Sequence, residues 1–188
     1  MKKTIFKLMI LVVGVSGFQS CRKGDNDPLI ALKTRKQRLT GEWKVFEMGT
    51  TYKENGEVIY VELVENDSLK TGFSSVTYTN TYNFKKDGTF ENTEVEDGDT
   101  YVEKGNWAFL GKNKEAGIKN KEYITLNTTN FINPNSSSTY NNFEDGGFVN
   151  YEIYRLQDKF MELHYLKTVK DEETGNIEET KTAIILKK

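Results

Sequence analysis

The chain has 188 residues, of which 36% are hydrophobic and 29% are charged, a balance typical of a water-soluble domain. Its formal net charge is −2, and without Lys2, Lys3 and Lys7 there remain 23 basic and 28 acidic residues, a net charge of about −5. An acidic balance argues against nucleic acid and against electrostatic docking on anionic lipid. A single histidine and a single cysteine also exclude a zinc site that needs several such ligands.

Residues 1–20 predict a signal peptide. Lys2 and Lys3 give a basic start, and the apolar run that begins at Leu8 continues to Phe18 without a charge, which is only 11 residues. A transmembrane helix needs roughly 20 apolar residues, whereas the apolar region of a signal peptide needs about 7–15. The alternative, a buried N-terminal helix, would leave the two lysines beside a cylinder with no polar face.

Cys21 is the only cysteine, so it cannot form an internal disulfide. The segment 17–21 (GFQSC) resembles a lipobox, in the looser form found in lipoproteins of the Bacteroidota. This resemblance implies cleavage before Cys21, acylation of that cysteine with chains such as palmitate, and a lipidated linker over residues 21–27. The alternative is cleavage after Ser16, which leaves a free thiol. The lipidated form predicts a protein of the cell envelope that is anchored in the outer membrane and has the lipid bilayer as its partner. The sequence does not decide whether the protein faces the periplasm or the cell surface.

Residues 28–188 are predicted to form one domain. Asp27-Pro28 has the pattern of a helix start, and Leu29, Leu32 and Leu39 give an apolar stripe, so a helix is expected over 28–39. From Gly41 onward, runs of Thr, Tyr, Phe, Val and Ile alternate with turn residues. The runs predicted as strands are 42–49, 57–65, 73–85, 88–96, 100–110, 121–128, 147–157, 159–168 and 179–187.

The connections favour antiparallel hairpins. Asp87-Gly88 and Asp97-Gly98 are pairs that tolerate the positive φ of tight turns, and 174–176 closes another hairpin. The segments 111–120 and 130–147 are predicted as longer loops. Eight or nine strands joined in this way predict an all-β, up-and-down antiparallel barrel of about eight strands, because closure removes exposed edges. An open sandwich is the competing fold.

Several short motifs resemble lipocalin-like domains of bacterial lipoproteins. They are Gly41-Glu42-Trp43 after a short helix, Tyr82–Phe90, Gly105-Asn106-Trp107, Tyr151–Leu156 and Met161-Glu162-Leu163. The resemblance implies an eight-stranded barrel with one open end. Gly41 and Trp43 would be structural, with Trp43 closing the other end against a late basic side chain, either Lys187 or Arg155. The chain lacks the Thr-Asp-x-x-Tyr turn and the disulfide of secreted lipocalins, which favours the lipoprotein branch.

No residue pattern predicts catalysis, a metal or a cofactor. Nucleophilic catalysis needs a base beside a nucleophile, and the single histidine, His164, lies in an alternating strand. The acidic residues around one hairpin are interpreted as a solvated turn, because the spacing of a calcium loop is absent. They are Glu94, Glu96, Asp97 and Asp99. The chain is therefore expected not to be an enzyme, and a hydrolase with two converging carboxylates is the remotest alternative.

The aromatic residues are the stronger functional signal, with 10 Tyr, 11 Phe and 2 Trp. Such rings on a concave β surface enclose apolar ligands, and tyrosine hydroxyls orient them. The candidates for ligand binding are Tyr82, Trp107, Tyr123, Tyr151 and Arg155. The sequence therefore predicts a small apolar or amphipathic ligand in the barrel mouth. The alternative is a non-enzymatic interaction module with a packed barrel that contacts a partner protein or glycan through its loops.

Overall fold

The computed structural model describes residues 27–28, 32–115, 117–119, 122–139 and 147–188. The predicted signal peptide, Cys21 and nearly all of its linker lie outside the described residues. Eleven strands lie within them: β1 (Gly41–Glu54), β2 (Glu57–Glu65), β3 (Ser68–Thr71), β4 (Ser74–Phe84), β5 (Thr89–Glu96), β6 (Asp99–Phe109), β7 (Tyr123–Asn133), β8 (Ser136–Thr139), β9 (Phe148–Leu156), β10 (Phe160–Lys170) and β11 (Ile177–Lys187). They are preceded by the helix α1 (Arg35–Leu39).

The strands close into an antiparallel barrel. Around it the order is β1, β2, β3, β4, β5, β6, β7, β9, β10 and β11, and β11 returns to β1. Strand β8 pairs with β7 alone and lies outside the barrel. The predicted all-β, closed antiparallel barrel is confirmed, and the open sandwich is wrong.

The predicted number of strands, about eight, is also wrong: ten strands form the barrel and one lies outside. Residues 41–44 of β1 pair directly with 81–84 of β4, whereas further along the two strands are separated by β2 and β3. The barrel is therefore eight strands around at this end, called the narrow end below, and ten strands around at the other, called the wide end.

The predicted helix over 28–39 is wrong in length. Among the described residues the helix begins at Arg35, because Thr34 caps it: Thr34 Oγ1 accepts from the Gln37 amide at 3.2 Å and Gln37 Oε1 accepts from the Thr34 amide at 2.8 Å. Leu32, expected in the apolar stripe, is 85% exposed. No helix of the described residues has the length and apolar character needed to cross a membrane.

Most of the hydrophobic core lies at the narrow end, and it extends to Val64 and Leu69 on β2 and β3. The alternation of each strand directs its apolar side chains inward there, and α1 covers the end with Leu39. The fully buried apolar residues are Leu39, Trp43, Phe84, Phe90, Ile124, Leu156, Met161, Leu163 and Leu186.

A charged cluster that no sequence pattern predicts closes the same end. The Asp27 carboxylate lies 2.9 Å from both Arg35 Nε and Arg38 Nη2, and all three side chains are almost completely buried. Asp27 Oδ1 also accepts from the Leu156 amide at 3.0 Å, and Arg38 Nη1 donates to the Leu156 carbonyl at 2.8 Å. These bonds fix α1 to the end of β9.

Candidate functional site

Three of the five predicted ligand-binding residues face the barrel interior. Tyr82 pairs with Trp43 at the narrow end and is 8% exposed, whereas Tyr151 on β9 is partly exposed and packs against the core. Trp107 also lies in the core of the narrow end, where its Nε1 donates to the Lys85 carbonyl at 3.0 Å. Its ring makes edge contacts with Phe84 and Phe109 at centroid distances of 6.1 and 5.6 Å. The structure therefore brings Tyr82 and Tyr151 together and gives Trp107 a packing role.

The other two predicted residues lie on the outside of the sheet. Tyr123 precedes the fully buried Ile124 and pairs with Glu152, so alternation turns it outward. Arg155 precedes the fully buried Leu156, and its guanidinium lies 5.3 Å from the centre of the Phe160 ring. Neither residue belongs to the interior set.

Trp43 closes the narrow end and contacts a late cation. Its ring is fully buried, its Nε1 donates to the Leu39 carbonyl at 2.6 Å, and Lys188 Nζ lies 4.3 Å from the ring centre. The same ammonium donates to the carbonyls of Arg38 and Thr40 at 2.7 and 2.8 Å. The expectation that Lys187 or Arg155 would be this cation is wrong. Leu186 points inward, so Lys187 points outward and lies over the Phe46 ring. Lys188 then points back towards Trp43.

Tyr82 belongs to the hydrophobic core and Tyr151 packs against it, and the two residues together are called the floor below. Strands β4 and β9 are separated by at least three strands in either direction around the barrel, so the two tyrosines approach each other from different sides of the interior. Burial raises the pKa of Tyr82 well above its ordinary value and that of Tyr151 to about 12. Both hydroxyls are protonated at physiological pH and act as hydrogen-bonding groups.

A polar cluster lies on the wide side of this floor, on β4 and β5. Tyr78 donates to Glu94 Oε2 at 2.9 Å, and Asn80 Nδ2 lies 3.2 Å from the same oxygen and 3.1 Å from the Tyr78 hydroxyl. Asn80 and Glu94 are direct partners in the β4–β5 register. Tyr78 and Asn80 are each 4% exposed, so the cluster is built into the wall of the barrel.

A second carboxylate continues the cluster onto β6. Glu103 pairs with Asn92 across β5 and β6, and the neighbouring Asn92 side chain acts to lower the pKa of the Glu103 carboxyl. The carbonyl oxygens of Asn80 and Asn92 are both buried and have no hydrogen-bond partner within the described structure. The four side chains of Asn80, Asn92, Glu94 and Glu103 are called the acceptor cluster below.

The acceptor cluster carries negative charge at low solvent exposure. Burial raises the pKa of Glu94; hydrogen bonds from Tyr78 and Asn80 oppose this shift, and the charges of Glu96 and Glu62 reinforce it. Burial also raises the pKa of Glu103, against the hydrogen bond from Asn92 and with the charge of Glu94. Within the described part of the chain, no lysine or arginine is paired with either carboxylate, and no basic side chain contributes to these shifts.

The interpretation of residues 94–99 as a solvated turn is thus wrong for Glu94. Asp97 and Asp99 are exposed at the hairpin, but Glu94 shares the inward face of β5 with Phe90 and Asn92. The alternation of β5 could have placed it there. The pairing with Asn80 depends on the register between strands, which the spacing of residues alone does not reveal.

Aromatic rings line the remaining inner wall. Tyr101 and Phe131 stack at a centroid distance of 6.4 Å, and Tyr151 and Tyr165 lie 5.8 Å apart. Unlike the core, five residues of this wall are partly exposed: Tyr101, Glu103, Phe131, Tyr151 and Tyr165. The inner surface of the wide end is therefore accessible, apolar on one side and hydrogen-bonding on the other.

Several other features of the described residues lie away from the acceptor cluster. A groove of about 250 Å³ lies on the outer wall, lined by β1, β2, β10 and β11. His164 stacks on Tyr154 at 4.7 Å and contacts Glu162 at 2.9 Å, away from the acceptor cluster. Within the described ranges, no three His, Cys, Asp or Glu side chains are grouped as metal ligands. Comparisons of the chain with protein-family models, with curated proteins and with solved structures find no match.

Proposed function

We propose that the chain is an exported, lipid-anchored binding protein with a lipocalin-like barrel, and that it holds a small amphipathic ligand in the wide end. One observation carries this proposal. The barrel is closed and fully packed at its narrow end, whereas the inner surface of its wide end remains partly exposed and combines aromatic rings with hydrogen-bonding groups. This combination is typical of a site that encloses an apolar body and orients a polar group.

Lipidation of Cys21 would also set the direction in which the site faces. Asp27 is buried in the narrow end, and only six residue steps separate it from Cys21. Even a fully extended chain of that length spans at most about 22 Å. An anchor at Cys21 therefore holds the narrow end near the bilayer and turns the wide end away from it. Two or three acyl chains suffice for stable attachment.

The ligand is tested by native mass spectrometry of the full chain purified from its membrane fraction. We expect the wild type to retain a small molecule. The double variant Tyr82→Phe, Tyr151→Phe, which removes the floor hydroxyls, should retain it more weakly. Tyr154→Phe, an outward position on the same strand as Tyr151, is the matched control. A wild-type chain that retains no small molecule and takes up none from a lipid extract would support the packed interaction module instead.

The anchor is tested separately with Cys21→Ser. We expect the wild type to incorporate labelled palmitate and to sediment with membranes, and the variant to do neither. Equal labelling of the two chains would contradict lipidation at this position.

A further inference from the structure

We propose that the wide end binds the ammonium group of a small amphipathic amine, with the acceptor cluster as the cation-binding subsite. This inference rests on the proposed function and names the chemical class of the ligand. It is carried by three observations: unpartnered buried acceptors, unpaired carboxylates and aromatic rings at the same level of the barrel.

The acceptor cluster has more acceptors than donors. Asn80 and Asn92 are 4% and 7% exposed, and the carbonyl oxygen of each lacks a partner within the described structure. Rotating the Asn80 amide would not help, because its NH₂ group already donates to the Glu94 carboxylate at 3.2 Å. Buried polar groups in proteins are nearly always hydrogen-bonded. The cluster is therefore suited to bind a hydrogen-bond donor.

The charge at the site favours a positive donor. Glu94 and Glu103 are unpaired with basic residues in the described part of the chain, and Glu62 and Glu96 add negative charge nearby. An ammonium group offers three donors and one positive charge, which matches this set. A divalent metal fits less well, because the described residues supply no group of three ionisable ligands.

Aromatic rings can complete the recognition. Tyr78 and Tyr82 flank Asn80 on the inward face of β4, and Tyr101 pairs directly with Glu94. Ring faces at this level attract a cation that has left water. The Tyr101–Phe131 and Tyr151–Tyr165 pairs then offer an apolar wall for a hydrocarbon or aromatic body. An amine with an apolar tail satisfies both halves of the site.

The test compares three probes that share one tail and differ in their head group. Isothermal titration calorimetry of the full chain near pH 7 would use octylammonium, octanol and octanoate. We expect octylammonium to bind at least about tenfold more tightly than octanol, and octanoate to bind most weakly, since the carboxylates of Glu94 and Glu103 repel it.

Two variants assign the preference to the acceptor cluster. Glu94→Gln with Glu103→Gln should remove most of the preference for octylammonium and leave the affinity for octanol within about threefold. Glu91→Gln is the control, because it removes a charge from the outer face of β5, where Glu91 pairs with Lys104 at 3.1 Å. It should leave all three affinities unchanged.

The outcomes separate this inference from the proposed function. If no probe binds the wild type, both the carrier function and this inference fail. If octanol or octanoate binds as tightly as octylammonium, the barrel is a carrier and the cationic subsite is wrong. The comparison of head groups on the wild type decides this even if the double variant does not fold.

Discussion

At Gly105 two strands approach more closely than any side chain allows. A β-carbon at this position would lie 2.0 Å from the carbonyl oxygen of Asn127 and 3.0 Å from the Phe90 ring. The pairing of β6 with β7 is irregular at this point, since the register shifts between Lys104 and Gly105. The glycine is thus required by the close contact of two backbones rather than by its own φ angle.

Gly105→Ala is expected to lower the free energy of unfolding by about 2 kcal/mol or more, because the clash is with backbone and cannot be relieved by a rotamer change. Urea denaturation measures the loss. Gly111→Ala is the control, since a β-carbon there meets nothing within 4 Å and the residue lacks a positive φ. Similar losses for the two variants would contradict the close approach.

Glu103 gives the barrel a stability that depends on pH. Its pKa in the folded state is raised above the ordinary value of 4.5 by burial, so the folded chain binds this proton more tightly than the unfolded chain does. Stability contributed by this residue is therefore present below pH 4.5 and is lost as pH rises through the folded pKa. Glu103→Gln removes the ionisation while keeping an acceptor for Asn92.

We expect Glu103→Gln to be more stable than the wild type at pH 8, with a gain that shrinks as the pH falls towards 4.5. Urea denaturation at several pH values gives the difference between the two chains, in which contributions from all other titrating groups largely cancel. Glu91→Gln on the outer face of β5 should show no such gain. If the difference in free energy of unfolding between Glu103→Gln and the wild type is smaller at pH 8 than at pH 4.5, the pKa of Glu103 is not raised in the folded state.

The attachment of α1 depends on one buried carboxylate. The helix has only five residues and is too short to be stable through its own hydrogen bonds. It is held instead by Asp27, which contacts Arg35, Arg38 and the Leu156 amide. Removing one partner from such a buried group leaves charge that is no longer compensated.

Asp27→Asn is therefore expected to destabilise the chain by about 3–5 kcal/mol. The control is Asp158→Asn, which breaks an ion pair with Lys33 of which both side chains are 56% exposed. That pair should contribute less than about 1 kcal/mol. Thermal unfolding followed by circular dichroism distinguishes the two cases, and equal effects would show that the buried cluster does not hold the helix.

The strands of this barrel are predictable from local patterns where they are long. Alternation and the Asp87-Gly88 and Asp97-Gly98 turns place β4, β5 and β6 to within about a residue, and both glycines have the expected positive φ. The four-residue strands β3 and β8 are not predicted. β3 follows a turn of Asn66 and Asp67 with positive φ but no glycine, and β8 lies within a serine-rich segment predicted as a loop.

The candidate site is less predictable than the strands. Tyr82 and Tyr151 are predicted because aromatic residues suggest a ligand, and both face inward. Tyr123 and Arg155 are assigned to the inner face although the sequence alone does not show which residues of a strand point inward. A shift of one residue moves a side chain to the opposite face of the sheet. Glu94, Glu103, Asn80 and Asn92 meet through the register of three strands. The acceptor cluster forms only when β4, β5 and β6 pair, so the sequence of any single strand does not reveal it.

At the scale of the whole molecule, the barrel has two ends with different roles. The narrow end concentrates the hydrophobic core, the helix and the Asp27 cluster, so it supplies stability. The insertion of β2 and β3 between β1 and β4 adds two strands to the wall of the wide end only. Since the diameter of a barrel grows with its number of strands, the insertion gives the wide end room that the narrow end lacks.

The proposed anchor makes this polarity measurable at a membrane. Because the chain from Cys21 to Asp27 reaches at most about 22 Å, an anchor at Cys21 keeps the narrow end near the bilayer. Lys86, in the β4–β5 turn, marks the narrow end, and Glu173, in the β10–β11 turn, marks the wide end. In the acylated chain Cys21 is a thioether and does not react with maleimide, so a single new cysteine can be labelled.

We therefore expect a fluorophore on Lys86→Cys to be quenched strongly by lipids that carry a headgroup quencher, and one on Glu173→Cys to be quenched weakly. The same labels on the Cys21→Ser background should show no difference, because that chain is not held at the bilayer. Stronger quenching at position 173 would mean that the wide end faces the membrane. The site would then exchange its ligand with the bilayer rather than with the aqueous phase.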